Sequence, residues 1–177
     1  RISATIDTRQ IAAPISKYLY GGFIEHGGML MYRSLWDEIV DDRKFYFPIT
    51  SQEPSTPARQ AGGPFRGMAL RRWKPVGPDA VVTMDKEAPF VGDQSPRIAL
   101  DATTPHGIRQ SGIALVKDKV YNGRIYLRAT PGSKVSVTLS WGGGPNDRQT
   151  IAITPRTSQY KKYPISLTAK ADTTDGA

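Results

Sequence analysis

Residues 123–141 read GRIYLRATPGSKVSVTLSW, and this stretch decides the fold. Ile125, Leu127 and Ala129 occupy alternate positions, with Arg124, Tyr126 and Arg128 between them. Val135, Val137, Leu139 and Trp141 alternate in the same way with Ser136, Thr138 and Ser140. A period of two places one set of side chains in a core and the other in water, which is the pattern of a half-buried strand. Trp141 shares its face with Val135, Val137 and Leu139 and is therefore read as a core residue.

Outward from this pair the same signal recurs at short spacing. Val81–Met84, Arg97–Leu100, Ser111–Lys117, Gly123–Thr130, Lys134–Trp141, Arg148–Thr154 and Ile165–Ala169 are strand candidates separated by turn residues. That spacing predicts a β-sandwich. Before it, residues 49–78 are rich in Pro, Gly, Ser and Arg, and a domain boundary is expected near Ser51 to Gly67. No internal repeat or low-complexity segment is evident.

The first part of the chain differs. Ile2, Ala4 and Ile6 alternate, and the chain turns through Asp7-Thr8-Arg9 toward Ile11, a short strand and its return. Residues 18–45 read YLYGGFIEHGGMLMYRSLWDEIVDDRKF. Tyr18 to Ile24 is apolar and contains glycine, as a strand buried on both faces would be. From Leu30 the period changes: Tyr32, Leu35, Trp36, Ile39 and Val40 fall at helical spacing, Arg33 and Asp37 form an i, i+4 pair, and Pro48 is the expected stop.

Composition bounds the function. In 177 residues, 38% hydrophobic, there is room for one good core or two small ones, and no run approaches the length of a membrane span. Arg1 begins the sequence without an apolar signal segment, which fits a processed chain or a cytoplasmic one. The absence of cysteine excludes disulfides and thiolate metal sites. A net charge of +8 raises the question of nucleic acid, but the basic residues are scattered apart from Arg71-Arg72 and Lys161-Lys162. No helix carries a basic stripe, so no nucleic-acid partner is expected.

The residues that carry chemistry begin with Glu25 and His26, where a strand runs out into a loop before a helix. In a barrel that is the C-terminal rim, where reacting groups gather. Glycines at 21, 22, 27 and 28 allow close approach of a ligand or backbone, and a carboxylate among them can accept hydrogen bonds from sugar hydroxyls. Pairing of Glu25 with a neighbouring Arg or Lys is the structural alternative. His26 has only the distant His106 as a second histidine and no acidic cluster of ligand spacing, so it is expected to orient Glu25 or a nearby loop rather than hold zinc. Neither histidine belongs to a serine elbow.

Other carboxylates read as structural. Asp37, Glu38, Asp41 and Asp42 are expected on one helix, solvated or paired with Arg43 and Lys44. Asp101, Asp118, Asp147, Asp172 and Asp175 occupy turn contexts that favour Asp for backbone reasons. Loops offer Asp93, Asp101 and Asp147 to calcium, but nothing resembles an oxygen cage, and no metal or cofactor is expected. On the β part, Tyr126 between Arg124 and Arg128 is a candidate platform for a sugar face, with Tyr121, Tyr160 and Tyr163 as loop candidates. Cross-strand packing is the alternative for each of them.

The phrases YGGFIEHGG and YRSLWDEIVDDRKF resemble the amino-terminal signature of the family 51 glycoside hydrolases, the α-L-arabinofuranosidases, with Phe23, Glu25, His26, Leu35, Trp36, Glu38, Asp42, Arg43, Lys44 and Phe45 in order. PFVGDQSPRIALD, HGIRQSGIAL and YNGRIYLRA resemble a carbohydrate-binding-module-like β-sandwich inserted into such enzymes. Together the two resemblances cover nearly the whole chain. They imply that residues 1–16 contribute to an accessory β-sandwich and that 17–50 form the first βα unit of a (β/α)8 barrel. A linker over 51–66 and a jelly-roll-type β-sandwich over 67–177, incomplete at its C-terminus, would follow.

The resemblance also implies that Glu25, with His26 beside it, contacts the arabinofuranose. A retaining mechanism needs two carboxyl groups roughly 5 Å apart, and in the family both are glutamates on later barrel strands. The expectation is thus the amino-terminal part of an enzyme that removes terminal α-L-arabinofuranosyl groups from arabinoxylan, arabinan or their oligosaccharides, inactive without the segment that follows. A carbohydrate-binding module or a structural subunit docking a catalytic chain is the alternative. Secretion or a periplasmic location is expected because polysaccharide does not enter cells intact; action on imported oligosaccharide would place it in the cytoplasm.

Overall fold

The computed structural model describes residues 38–53 and 71–177. The chain divides into two compact units, Arg1–Asp37 and Glu38–Ala177. The expected strands within 1–16 and 18–24, the residues Glu25 and His26, the helix from Leu30 to Asp37 and most of the 51–66 linker lie outside the described residues.

The described part is mainly β, with a single 3-10 turn at Asp79–Val81. Its strands are β1 (Lys74–Val76), β2 (Val82–Asp85), β3 (Ser95–Ile98), β4 (Gly107–Arg109), β5 (Ile113–Leu115), β6 (Val120–Leu127), β7 (Val135–Ser140), β8 (Arg148–Ile153), β9 (Lys161–Thr168) and β10 (Thr173–Gly176). All seven expected strands are present. The three that sequence patterning missed, β1, β4 and β10, read KPV, GIR and TTDG, short runs in which Pro or Gly replaces an alternation of apolar side chains.

Pairing is antiparallel throughout: β1 with β4, β2 with β3, β5 with β10, β6 with β9 and β7 with β8. Beyond β10, Ala177 exchanges two backbone hydrogen bonds with Ser140, at 2.6 and 2.9 Å, and so joins the β5–β10 pair to the β7–β8 pair. Ile113 and Leu115 of β5, Leu139 of β7, Leu167 of β9 and Ala169 form the buried core. Val137, Ile151, Ile165, Tyr121 and Trp141 pack around it, as the inward faces of alternating strands should. The result is a β-sandwich-like domain.

Residues 38–47 correct the sequence reading, because they form no helix. Ile39 and Val40, at helical spacing in the sequence, pack instead against the sandwich core. Asp42 and Phe45 adopt φ of 49° and 55°, which a right-handed helix excludes. The Asp42 carboxylate accepts the N–H groups of Tyr46 and Phe47 at 2.7 and 3.1 Å, a local turn in place of a helical ladder. Glu38 does pair with Arg43, as expected, but across an irregular segment.

Long-range polar contacts hold this segment to the strands. The Arg71 guanidinium and its backbone N–H donate to the Asp41 carboxylate at 2.9–3.0 Å, and the same guanidinium reaches Ile39 O and Gly112 O. Gln110, 3% exposed, accepts the Asp41 N–H at 2.8 Å and donates to Asp41 O and Arg71 O at 2.9 and 3.0 Å. Trp73 Nε1 also donates to Asp41 O. A buried amide is stable only when its polar groups find partners, and here Gln110 finds them on backbone from two distant segments.

Candidate functional site

The nine-residue connection between β2 and β3 builds a partly exposed aromatic cluster. Asp85, at the end of β2, accepts the N–H groups of Glu87 and Ala88 at 2.9 and 3.3 Å and turns the chain. Phe90 N–H donates to Ser95 Oγ at 3.0 Å, fixing the return. Between these anchors Phe90 lies on Tyr126 of β6, with ring centroids 4.2 Å apart and planes at 19°. Tyr160 approaches Phe90 at 5.2 Å and donates its hydroxyl to Ala88 O.

Cations surround the rings. The Arg128 guanidinium is 5.2 Å from the Tyr160 ring centre and bonds to Asp85 Oδ2 at 3.0 Å. Lys162 is the register partner of Tyr126 and stands beside it on the same face. Hydrogen bonds from Glu87 and Ala88 N–H, with the charge of Arg128 adding to them, lower the Asp85 pKa. Phe90 and Val91 remain 44% and 46% exposed, while Tyr126 is 36% exposed beneath them. The ledge therefore presents an apolar ring with a polar, cationic rim, the arrangement that takes the CH face of a sugar and its hydroxyls together.

The expected residues divide. Tyr126 is part of the ledge, but Phe90 covers its ring, so Phe90 offers the exposed face. Tyr160 belongs to the same cluster. Tyr121 packs against the core, accepts the Val116 N–H on its hydroxyl at 2.8 Å and has Lys119 5.8 Å from its ring centre. Tyr163 is half-buried opposite Ile125. Glu25 and His26 lie outside the described residues. Sequence reading missed Phe90, although the pair Phe90-Val91 between Pro89 and Gly92 is an apolar signal in a turn context.

The described carboxylates mostly secure turns and connections. Asp79 accepts Thr50 Oγ1 and Ser51 N–H, Asp172 the Lys117 N–H, and Asp175 the Gly112 N–H. Hydrogen bonds from Thr50 and Ser51 lower the Asp79 pKa. Asp101 accepts the Thr103 hydroxyl at 2.6 Å and the N–H groups of Thr103 and Thr104 at 2.8 Å, which brings its pKa down to about 2. A catalytic acid working near neutrality needs the opposite shift. Among the described residues no group of His, Asp or Glu suits a metal ion, and no helix is long and apolar enough to cross a membrane.

Asp101 gives a pH test. Its folded pKa is depressed, so its contribution to stability is complete above about pH 4 and is lost as pH falls toward 2. A carboxyl carbon-13 titration is expected to show its midpoint near 2. Thr103→Val should move that midpoint upward while the two backbone bonds keep it below the ordinary range. A wild-type midpoint in the ordinary Asp range would refute the hydrogen-bond account.

Comparison of the chain with family models, with curated proteins and with solved structures finds no match. The functional reading accordingly rests on its own residues.

Proposed function

We propose that this chain is the amino-terminal part of a retaining α-L-arabinofuranosidase. In this reading residues 17–37 belong to the opening of the catalytic barrel, and the β-sandwich, with residues 38–47 held on it, is a carbohydrate-contacting module of jelly-roll type. The observation that carries it is the phrase YGGFIEHGG followed by YRSLWDEIVDDRKF. Glu25 contacts the furanose hydroxyls, His26 orients it, and the two catalytic carboxyl groups come from a following segment. The Phe90–Tyr126–Tyr160 ledge supports the sugar-contacting part of the reading, and it equally favours the alternative of a non-catalytic carbohydrate-binding module.

Hydrolysis of a chromogenic α-L-arabinofuranoside tests the proposal. The chain joined to its following segment should be active and the chain alone inactive. Glu25→Ala should lower kcat/KM about tenfold to a hundredfold, the effect of removing charged hydrogen bonds to substrate. Phe90→Ala should weaken arabinoxylan binding about threefold to tenfold while leaving hydrolysis of the small substrate unchanged. If the joined protein cleaves no arabinofuranoside yet the chain binds arabinoxylan, the non-catalytic module is the correct reading.

A further inference from the structure

The hairpin between β7 and β8, residues 141–147, reads WGGGPND, and one carboxylate organises it. Asp147 Oδ2 accepts the Gly144 N–H at 2.9 Å, and Trp141 N–H donates to Asp147 O at 2.9 Å. A Cβ at Gly142 would lie 2.5 Å from that Oδ2 and one at Gly144 2.8 Å from it, so the loop closes around Asp147 only with glycine at both positions. Ser140 Oγ donates to Gly142 O at 2.9 Å. These bonds fix Trp141 at the end of β7, where it also packs on the core.

Beside this indole opens a cleft of about 340 Å³, completed by Asn146, Arg148, Gln149, Thr168 and Lys170. Gln149 Oε1 accepts the Thr168 N–H at 2.6 Å, which orients the amide and leaves its NH2 group without a partner among the described residues. Arg148 donates to Gly144 O at 3.1 Å, anchoring the guanidinium over the loop. Lys170 Nζ is 3.3 Å from Asp118 Oδ1 in an exposed pair. The six lining residues include two cations, Arg148 and Lys170, the second shared with Asp118 at the cleft's edge. The cleft is open to solvent and brings the outer part of the indole together with hydrogen-bond donors and positive charge.

We propose that this cleft binds a uronic acid unit of a glycan. The sugar's CH face lies on Trp141, its carboxylate between Arg148 and Lys170, and its hydroxyls take the amides of Asn146 and Gln149. An aromatic face suits the apolar side of a pyranose, and a cationic hydrogen bond to a carboxylate is roughly twice as strong as a neutral one. A bare inorganic anion would leave the indole and most of the volume unused. The proposal shares the carbohydrate class of the reading above and needs no arabinofuranoside cleavage.

Calorimetric titration of the chain tests it with three probes: xylotetraose carrying one glucuronic acid branch, unbranched xylotetraose and inorganic phosphate. The branched sugar is expected to bind at least about tenfold more tightly than either of the others. Arg148→Gln and Lys170→Gln, both at exposed positions, should each weaken it about tenfold, and Trp141→Phe should weaken it while retaining a ring against the core. No binding, equal affinity for the two oligosaccharides, phosphate binding as tight as the branched sugar, or an unaffected Arg148→Gln variant would each overturn the proposal. Retained uronate binding in a protein without arabinofuranosidase activity would sink only the enzymatic reading, and the reverse pattern only this one.

Discussion

Leu115→Ala is expected to lower the unfolding free energy by about 3–4 kcal/mol and the melting temperature by about 10 °C. Leu115 is 2% exposed and lies in the cluster with Ile113, Leu139, Leu167 and Ala169 that joins the strands of the two faces. Truncation removes transfer free energy and leaves a cavity that fixed strands fill only in part. The neighbouring Gly176 makes the test specific, since a Cβ there would lie 2.6 Å from Leu115 Cδ1 and 2.9 Å from Ile113 O. Gly176→Ala alone should therefore destabilise. Combined with Leu115→Ala it should cost less than the sum of the two, because the side-chain clash is gone while the backbone clash remains. Chemical denaturation of the four proteins measures the coupling. Strict additivity would show that β10 does not press on Leu115 in solution.

Gln110→Leu is expected to cost about 3–4 kcal/mol, because it keeps the volume of the side chain and removes all its hydrogen bonds. The Asp41 N–H and Arg71 O lose the partners that Gln110 gives them, whereas Asp41 O keeps the Trp73 indole N–H. Each hydrogen bond contributes about 0.5–1.5 kcal/mol net, so the loss of all three that Gln110 makes accounts for the magnitude. The loss should be local as well as global, with amide exchange at Asp41 accelerated more than at Leu139 in the core. A denaturation midpoint within error of wild type would mean that water replaces the amide at no cost and that this clasp does not hold residues 38–47 to the strands.

The clasp also explains why the helix expected over these residues fails. Ile39 and Val40 satisfy a helical period, but the same two side chains satisfy the sandwich core, and burial outweighs a helical propensity of a few tenths of a kcal/mol per residue. Nothing in the local sequence announces that Gln110, 69 residues away, will take the Asp41 backbone. The glycan-contact candidates show the same division. Tyr126 was legible as an outward aromatic on an alternating strand; Phe90, which covers it, was not, because the loop that carries it is placed by Asp85, Ser95 and Tyr160.

The sequence alone determined seven of the ten described strands and most of the turns between them, since a period of two and turn-forming Asp and Gly are properties of neighbouring residues. It also supplied the resemblance of residues 18–45 on which the enzymatic reading rests. Only the tertiary structure decided that residues 38–47 pack as irregular chain, that Phe90 stacks on Tyr126, and that Trp141 faces both the core and a cationic cleft. Each of these depends on contacts between segments far apart in the chain, where the free energy comes from burial and from partners for buried polar groups, and no local pattern encodes which distant group will supply them.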